Sequence, residues 1–437
     1  MSQGGSFQFD KDELGLLREA IERMEEGFSF LPDFDPPHLD QTAMRNVLLE
    51  TASRMHDNYP YFHPQYAGQM LKPPHPVARL AYSLAMYINP NNHALDGGRA
   101  SSQMEKEAVA EIARMFGWET HLGHLTGGGT MANLEALWIA GQLRPDGVIL
   151  ASDQAHYTHS RISGVLKLPF ESVPTDRHAR MDLNALEDRL KRGGVGTVVA
   201  TLGTTATGSV DPLPGILALR ERYGFRLHAD CAYGGYYILA STLAPPARAA
   251  FDRLSEVDSI VIDPHKHGLQ PYGCGCVLFR DPGVGKFYKH DSPYTYFSSK
   301  ELHLGEISLE CSRPGAAAVA LWATQRMLPL VRSGEFSGML DTCRETALKL
   351  FDDLSADGRF APAFPPELDI VVWAVSANTI PESSQAARDH FVAAAKHDVH
   401  LALAELPSHF FWPEQGESNV TCLRSVVMKT TNVSRFC

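Results

Sequence analysis

A lysine that follows a short apolar run is the first feature of chemical interest in this sequence. Lys266 lies in residues 263–268 (DPHKHG), directly after residues 259–262 (SIVI), which are predicted to form a buried strand. A lysine at the end of a buried strand is well placed to lose its proton and form an imine with a carbonyl group. The alternative is a lysine that simply extends into solvent, as most lysines do.

A glycine-rich turn predicts a phosphate-binding site. Residues 126–133 (TGGGTMAN) open a strong helical pattern, and the exposed amides at a helix N-terminus favour an anion. The three glycines allow close approach of the backbone, and the hydroxyl of Thr130 adds a donor. The segment matches neither the Walker loop nor the dinucleotide-binding fingerprint, so a plain tight loop is the alternative interpretation.

Polar side chains follow the ends of two other predicted strands. His156 comes after residues 148–151, where an imidazole could stack on an aromatic ligand or transfer a proton, although a structural histidine is equally compatible. Asp230 ends the run at residues 225–229, and a buried carboxylate needs a cationic partner or several hydrogen bonds. A pyridinium N–H would satisfy it, and the small Ala232 leaves room for a flat ring.

These groups converge on one cofactor. Residues 203–205 (GTT) end a further strand and add hydroxyl groups at the same edge, where ligands of open α/β sheets bind. A phosphate-binding turn, an imidazole, hydroxyls, a carboxylate and an imine-forming lysine are together what pyridoxal phosphate (PLP) requires. The separation of 36 residues between Asp230 and Lys266 suits neighbouring strands that are joined by a crossover.

Alternating apolar runs and helical patterns must position these residues. Such alternation predicts an α/β domain with a mostly parallel, buried sheet. The predicted strands are residues 148–151, 168–170, 197–201, 225–229, 259–262 and 276–279, and predicted helices include residues 131–141 and 183–191.

The regions on either side of this domain differ in character. An amphipathic helix is predicted at residues 10–26, where it could pack on another subunit, and a proline-rich arm follows at residues 31–37. A long helical region leads into a smaller α+β unit. It is predicted at residues 314–351, and the unit has strands at 368–375, 399–404 and 420–428 and a helix at 383–396. We therefore expect an N-terminal helical, dimer-forming segment (1–60), a large PLP-binding domain (61–330) and a small C-terminal domain (331–437).

Composition excludes several classes of function. The chain has 437 residues and a net charge of −12, without the basic stripe that nucleic-acid binding requires. We expect neither a signal peptide nor a membrane-spanning segment. Seven cysteines are present, and Cys274 and Cys276 have no second Cys/His pair that would complete a zinc site. Reduced thiols in a cytoplasmic protein, with no metal site, are the simplest interpretation.

Seven ordered motifs resemble those of the PLP-dependent group II amino-acid decarboxylases, which include aromatic-amino-acid, tyrosine and glutamate decarboxylases. The resemblance extends from about residue 61 to residue 428. It is closest to the bacterial tyrosine and archaeal tyrosine/aspartate branch, because of Asp263 and residues 309–316 (LECSRPGA); animal aromatic decarboxylases carry Asn in place of Asp263. The motifs are residues 63–64 (HP), 89–92 (NPNN), 126–129 (TGGG), 152–156 (SDQAH), 203–205 (GTT), 228–233 (HADCAY) and 263–266 (DPHK).

The resemblance implies fold-type I architecture, with a mostly parallel seven-stranded sheet in the large domain and a small α+β C-terminal domain. It also implies a homodimer with active sites at the subunit interface. Lys266 would bind PLP covalently, His156 and Ala232 would cover the two faces of its ring, and Asp230 would pair with the ring nitrogen. The phosphate would be held by Gly129, Thr130 and His265, and Thr205 would lie beside the ring substituents.

A residue on the loop after Lys266 would protonate the substrate's Cα. Tyr272 is the first candidate, and Tyr294, Tyr296 and His303 are the others. The catalytic residues predicted in this way are Lys266, His156, Asp230 and Tyr272.

The predicted reaction is decarboxylation of an L-amino acid, such as the aromatic amino acid tyrosine, to the amine and carbon dioxide. An acidic substrate is an alternative, because Lys72 and Arg99 stand where aromatic decarboxylases have other residues near the pocket. A position on the surface is equally compatible with either residue. Another PLP-dependent lyase or aldolase on the same fold is a further alternative. A binding protein without activity is disfavoured, because Lys266, Asp230 and His156 are all present.

Overall fold

Two solvent-exposed helices precede the sheet. The computed structural model describes residue 9 and residues 11–35, 38–289, 303–414 and 418–429. Helices α1 (Glu13–Gly27) and α2 (Gln41–Met55) contain no buried residue, and the side chains of Val47 and Leu48 on α2 are 61% and 62% exposed. The helix predicted at residues 10–26 is confirmed as α1, whereas α2 is not among the predicted helices.

A seven-stranded sheet forms the centre of the molecule. One strand, at residues 275–279, runs opposite to the other six, so the prediction of a mostly parallel seven-stranded sheet is confirmed. The strand order is β1-β7-β6-β5-β4-β2-β3. The strands are β1 (Leu122–Thr126), β2 (Val148–Ser152), β3 (Phe170–Val173), β4 (Val195–Thr201), β5 (Arg226–Asp230), β6 (Ser259–Ile262) and β7 (Gly275–Phe279).

Parallel strands bring their carboxyl ends to one edge of the sheet. All residues of β6 and β7 are buried, as expected where a sheet is covered on both faces. Because β2, β4, β5 and β6 run in the same direction, the segments that follow them lie together. This arrangement places the predicted site residues side by side.

Helices connect and cover the strands of the large sheet. Helix α5 packs against β6 and β7, and α10 packs against α3 and α4. The helices are α3 (Pro76–Met86), α4 (Arg99–Met115), α5 (Gly129–Leu143), α6 (Thr158–Leu166), α7 (Leu183–Leu190), α8 (Leu213–Tyr223), α9 (Pro245–Phe251) and α10 (Gly315–Met327).

Three local predictions differ from the structure. The strand predicted at residues 399–404 lies at Ala402–Pro407. The strand predicted at residues 168–170 begins only at Phe170, where it pairs with Ile149 of β2. The single helical region predicted at residues 314–351 is divided into α10 and α11 (Glu335–Ala356). Pro329 lies between them, and a proline cannot donate the backbone hydrogen bond that a continuous helix needs.

A smaller α+β unit follows, as the sequence predicts. Its four strands form an antiparallel sheet in the order β10-β11-β9-β8, and the helix α12 packs against β9 and β11. The elements are α11, β8 (Phe360–Pro362), β9 (Ile370–Val375), α12 (Ile380–Ala395), β10 (Ala402–Pro407) and β11 (Asn419–Val426). The predicted division of the chain at residues 60 and 330 stays a prediction.

Buried polar contacts connect this unit to the large sheet. Asp369, which precedes β9, accepts a hydrogen bond of 2.5 Å from the hydroxyl of Tyr233. His267 Nε2 lies 3.2 Å from the other carboxylate oxygen of Asp369, and both side chains are fully buried. Since His267 adjoins Lys266 and Tyr233 adjoins Ala232, this one carboxylate fixes two segments of the predicted site.

No helix in the described part of the chain combines the length and the hydropathy needed to cross a bilayer.

Candidate active site

A cavity of about 520 Å³ opens at the carboxyl edge of the large sheet. Its volume is within the range of cofactor and substrate sites. Residues from six separate segments line it, and every residue predicted to bind the cofactor is among them. These residues are Gly129, Thr130, His156, Thr205, Asp230, Ala232, His265 and Lys266.

Lys266 enters this cavity from a compact turn after β6. Its side chain is 19% exposed, and Nζ lies 3.0 Å from Oδ2 of Asp263, which is itself buried. Gly268 is required in this turn, because an added Cβ would lie 2.7 Å from backbone atoms of Pro264. The ion pair with Asp263 therefore holds the amine at the cavity rather than in bulk solvent.

The glycine-rich segment forms the N-terminus of α5 at the cavity wall. Gly128 precedes the helix with a φ of +148°, which strongly favours glycine. A Cβ on Gly129 would lie 2.6 Å from the carboxylate of Asp263, so a side chain would fill the space at this helix end. The first amides of a helix have no carbonyl partner within it, and they form a ready anion site.

Asp230 ends β5 and is 4% exposed. Its Oδ1 accepts a hydrogen bond from the amide of Ala232 at 3.0 Å, and its Oδ2 accepts from His159 Nε2 at 2.8 Å and from Asn133 Nδ2 at 3.4 Å. Burial alone would raise the pKa of Asp230, but the hydrogen bonds from His159 and Ala232 hold that pKa below its usual range. The side chain is therefore a fixed carboxylate facing the cavity.

His156 is held as a neutral imidazole of defined orientation. Partial burial lowers its pKa. Its Nδ1 lies 2.5 Å from Thr158 Oγ1 and accepts a hydrogen bond from the Thr158 amide at 3.2 Å. Nδ1 therefore carries no proton, and the proton resides on Nε2. The ring of Tyr157 lies against it with a centroid distance of 4.4 Å.

Tyr272 is not among the described residues that line the cavity. Its ring stacks on His265 with a centroid distance of 4.6 Å, and its hydroxyl donates to the Met70 carbonyl at 2.8 Å. His303 is buried and accepts a hydrogen bond from the Leu95 amide. Tyr294 and Tyr296 lie outside the described residues.

Lys72 and Arg99 are likewise not among the described residues that line the cavity. Arg99 is the first residue of α4 and is exposed to solvent. The structure therefore brings together the predicted cofactor-binding residues, but it does not bring either predicted cation to them within one subunit.

Three residues that the sequence analysis did not identify take part in the site. Glu310 lines the cavity, and its carboxylate accepts a hydrogen bond of 2.9 Å from the Gly127 amide. Asn133 lines the cavity from α5, and His159 reaches Asp230 from α6. Asn133 follows Gly129 by one helical turn and His159 follows His156 by three residues, but this spacing alone does not show that either side chain faces Asp230.

The residues present fit PLP. The helix end at Gly129 suits its phosphate, and the fixed carboxylate of Asp230 suits a protonated ring nitrogen. His265 supplies a buried ring nitrogen, Nδ1, that has no hydrogen-bond partner among the described residues. Lys266 supplies the amine.

The fold and these residues together define a fold-type I enzyme that uses PLP. Residues 137–376, more than half of the chain, match the family model described as the pyridoxal-dependent decarboxylase conserved domain. The chain thus belongs to the pyridoxal-dependent decarboxylase family, and it is an amino-acid decarboxylase with PLP as its cofactor.

Individual relatives agree with this assignment. An L-tyrosine decarboxylase of Enterococcus faecium is 28% identical, over 80% of this chain and 74% of that protein. A probable L-tyrosine/L-aspartate decarboxylase of Methanospirillum hungatei is 29% identical, over 70% of this chain and 79% of that protein.

Solved structures show the same fold. Mouse CSAD in its apo form aligns with a TM-score of 0.78 at 19% identity, covering 97% of this chain and 96% of that chain. Oryza sativa TDC with PLP and tryptamine aligns with a TM-score of 0.77 at 18% identity, covering 96% of this chain and 94% of that chain. The likeness to these structures extends to both the large sheet and the smaller α+β unit.

Proposed function

We propose that this decarboxylase acts on L-tyrosine or a closely similar aromatic amino acid and releases the corresponding amine. The charges in the cavity carry this proposal. Lys266 is the only lysine or arginine among the described lining residues, whereas Asp230, Asp263 and Glu310 are acidic. A substrate with an acidic side chain would need a cation of its own. The Enterococcus faecium relative, which is named for tyrosine alone, supports the same choice, whereas the Methanospirillum hungatei relative is named for both tyrosine and aspartate.

The proposed roles of the residues follow from their positions. Gly129, Thr130 and His265 would hold the phosphate, and His156 and Ala232 would cover the two faces of the ring, with Thr205 beside its substituents. Lys266 would bind the cofactor covalently through Nζ and would later carry a proton on the same atom. Asp230 would stabilise the proton on the ring nitrogen. When bound, the cofactor supplies a cationic conjugated ring that accepts the electron pair released with carbon dioxide.

The substrate is tested by a screen of the purified holoenzyme against the twenty L-amino acids, with carbon dioxide and amine measured separately. We expect tyrosine to have the highest kcat/KM and aspartate to lie well below it. Faster turnover of aspartate than of tyrosine would contradict the substrate proposal while leaving the decarboxylase intact. A product that retains its carboxyl group would indicate a different PLP-dependent lyase.

We propose Tyr272 as the residue that protonates the substrate's Cα. A phenol keeps its proton at neutral pH, and the stacking on His265 places Tyr272 next to the cavity. Its hydroxyl must leave the Met70 carbonyl before it can donate to a substrate.

Replacing Tyr272 by phenylalanine is expected to lower kcat by about 10²-fold or more, because a positioned proton donor is lost. The affinity for PLP should stay the same. The matched control is Tyr223→Phe on α8, whose hydroxyl contacts Glu187 away from the cavity. A wild-type kcat in Tyr272→Phe would move the role to Tyr294, Tyr296 or His303.

We propose that the working form is a homodimer. Helices α1 and α2 carry apolar side chains that the single subunit leaves exposed, and surfaces of this kind mark protein–protein contacts. Sedimentation of the holoenzyme should give twice the subunit mass. A monomer with full activity would contradict the proposal.

We propose a cytoplasmic location. The described cysteines are all free thiols, and five of them are buried in the folded chain. Free thiols persist in reducing compartments. Recovery of the enzyme with a membrane or extracellular fraction would contradict this location.

A further inference from the structure

We propose that His159 is a positioning residue for the cofactor's ring nitrogen, because it fixes the carboxylate of Asp230 in the orientation and charge state that this nitrogen requires. The inference rests on the role proposed above for Asp230. His159 is not itself among the described lining residues of the cavity, so it acts through Asp230.

The contact between the side chains of His159 and Asp230 is short and buried. His159 is the second residue of α6, its ring is fully buried, and Nε2 lies 2.8 Å from Oδ2 of Asp230. Hydrogen bonds to a charged group in a buried environment are stronger than those at a surface. Loss of this one donor should therefore change the orientation and charge state of Asp230 at the cavity.

The proton in this contact has a defined location. A carboxylate only accepts hydrogen bonds, so His159 Nε2 must carry the proton that lies between the two side chains. The other ring nitrogen, Nδ1, is buried without a hydrogen-bond partner in the described part of the chain. The imidazole therefore directs its single useful donor at Asp230.

The other donor to the same oxygen is weaker. Asn133 Nδ2 lies 3.4 Å from Oδ2 of Asp230, at the long limit of a hydrogen bond. His228 fixes that amide, because its Nε2 lies 2.8 Å from Asn133 Oδ1 and burial lowers the pKa of His228 to about 3. Asn133 Nδ2 is thus held 3.4 Å from Asp230, and it cannot easily replace His159 as a hydrogen-bond donor.

Removal of His159 should therefore change Asp230 in a specific way. The buried carboxylate would keep the Ala232 amide on Oδ1 but would lose its short donor on Oδ2. Burial then favours the protonated carboxyl group, which cannot stabilise a proton on a facing ring nitrogen. Only the contact between Asp230 and the ring nitrogen should weaken, and the phosphate site should be unaffected.

The experiment uses a cofactor analogue to isolate that nitrogen. Apo enzyme is titrated with PLP and with deaza-PLP, in which a C–H group replaces the ring nitrogen, and both Kd values are measured by fluorescence. In His159→Phe the Kd for PLP should rise by about 10- to 100-fold, the worth of one hydrogen bond to a charged group. The Kd for deaza-PLP should change little, because the analogue has no proton there to stabilise.

Two further variants make the result decisive. His159→Gln keeps an N–H donor and should recover part of the affinity for PLP. Ser160→Ala, on the exposed face of the same helix turn, should leave both Kd values unchanged, since its hydroxyl bonds only the Tyr157 carbonyl. If His159→Phe does not fold, the variant His159→Leu, which also lacks a donor, takes its place. A wild-type ratio of its two Kd values would contradict the proposal.

The outcomes separate this proposal from the assignment of Asp230. An equal loss of affinity for both cofactors, or no loss for PLP, would show that His159 is merely structural. If the wild-type enzyme itself binds PLP and deaza-PLP equally well, the role assigned to Asp230 is wrong. The experiment measures only cofactor binding, so it stays valid even if the substrate proposal is wrong.

Discussion

Replacing Lys266 by alanine is expected to abolish covalent binding of PLP and to lower turnover by about 10⁴-fold, the upper end of what one proton-transferring group contributes. Lys266 provides the only primary amine among the described residues that line the cavity. Asp263 holds this amine in place, since its Oδ2 lies 3.0 Å from Lys266 Nζ. Reduction of the holoenzyme with borohydride, followed by mass spectrometry, should find the cofactor on residue 266 of the wild type and nowhere in the variant.

Two control variants distinguish the covalent role of Lys266 from its charge. Lys266→Arg keeps a cation beside Asp263, but a guanidinium does not lose its proton and cannot form the bond, so this variant should be as inactive as Lys266→Ala. Lys191→Ala, at the exposed residue directly after α7, should retain wild-type turnover and cofactor content. Recovery of substantial activity in Lys266→Arg would show that only the positive charge is needed.

The central strands could be predicted from the sequence because they are buried on both faces. A buried parallel strand appears as a short apolar run between turn residues, and β4 and β6 follow this pattern. Strand β1 does not, since it contains His124, whose Nε2 lies 3.0 Å from a carboxylate oxygen of Glu135 inside the fold. A buried ionisable pair interrupts the apolar signal, and only the tertiary structure shows that it is paired.

The site could be predicted to the extent that it depends on strand ends. Asp230 and Lys266 follow predicted strands directly, so their convergence follows from the parallel sheet. The partners of Asp230 come from helices that are distant in sequence: Asn133 is 97 residues away and His159 is 71 residues away. No periodicity in the chain shows which faces of α5 and α6 turn toward β5. The positioning contacts are therefore visible only in the folded molecule.

Specificity is the property least determined by the motifs. Lys72 and Arg99 were the sequence-based argument for an acidic substrate, and in the structure neither is among the described residues that line the cavity. Glu310 replaces them as the charged group of interest, since its carboxylate lies at the cavity and accepts from Gly127. An anionic group at this position would repel an anionic substrate side chain, which shifts the balance toward a neutral one.

Replacing Asp230 by asparagine is expected to lower kcat by about 10³-fold at saturating PLP, as for other losses of a preorganised electrostatic partner. The Kd for PLP should rise at least as far as in His159→Phe, since the charge is removed altogether. The amide has nearly the same shape, so the cavity and the phosphate site at Gly129 should be preserved. It has no charge, and it can therefore not hold a proton on the ring nitrogen. Cofactor content is measured by absorbance and kcat by amine release at saturating substrate.

The contacts of Asp230 make this variant more severe than a simple loss of charge. The Ala232 amide requires an acceptor, so the oxygen of the new side chain should take the position of Oδ1. Its NH₂ group would then face His159 Nε2, where donor meets donor until the imidazole moves its proton to Nδ1. Asp153→Asn is the matched control, because Asp153 follows β2 at the same edge of the sheet but is exposed and does not line the cavity. A kcat within about tenfold of wild type in Asp230→Asn, smaller than the usual cost of losing one such group, would show that the ring nitrogen does not depend on this carboxylate.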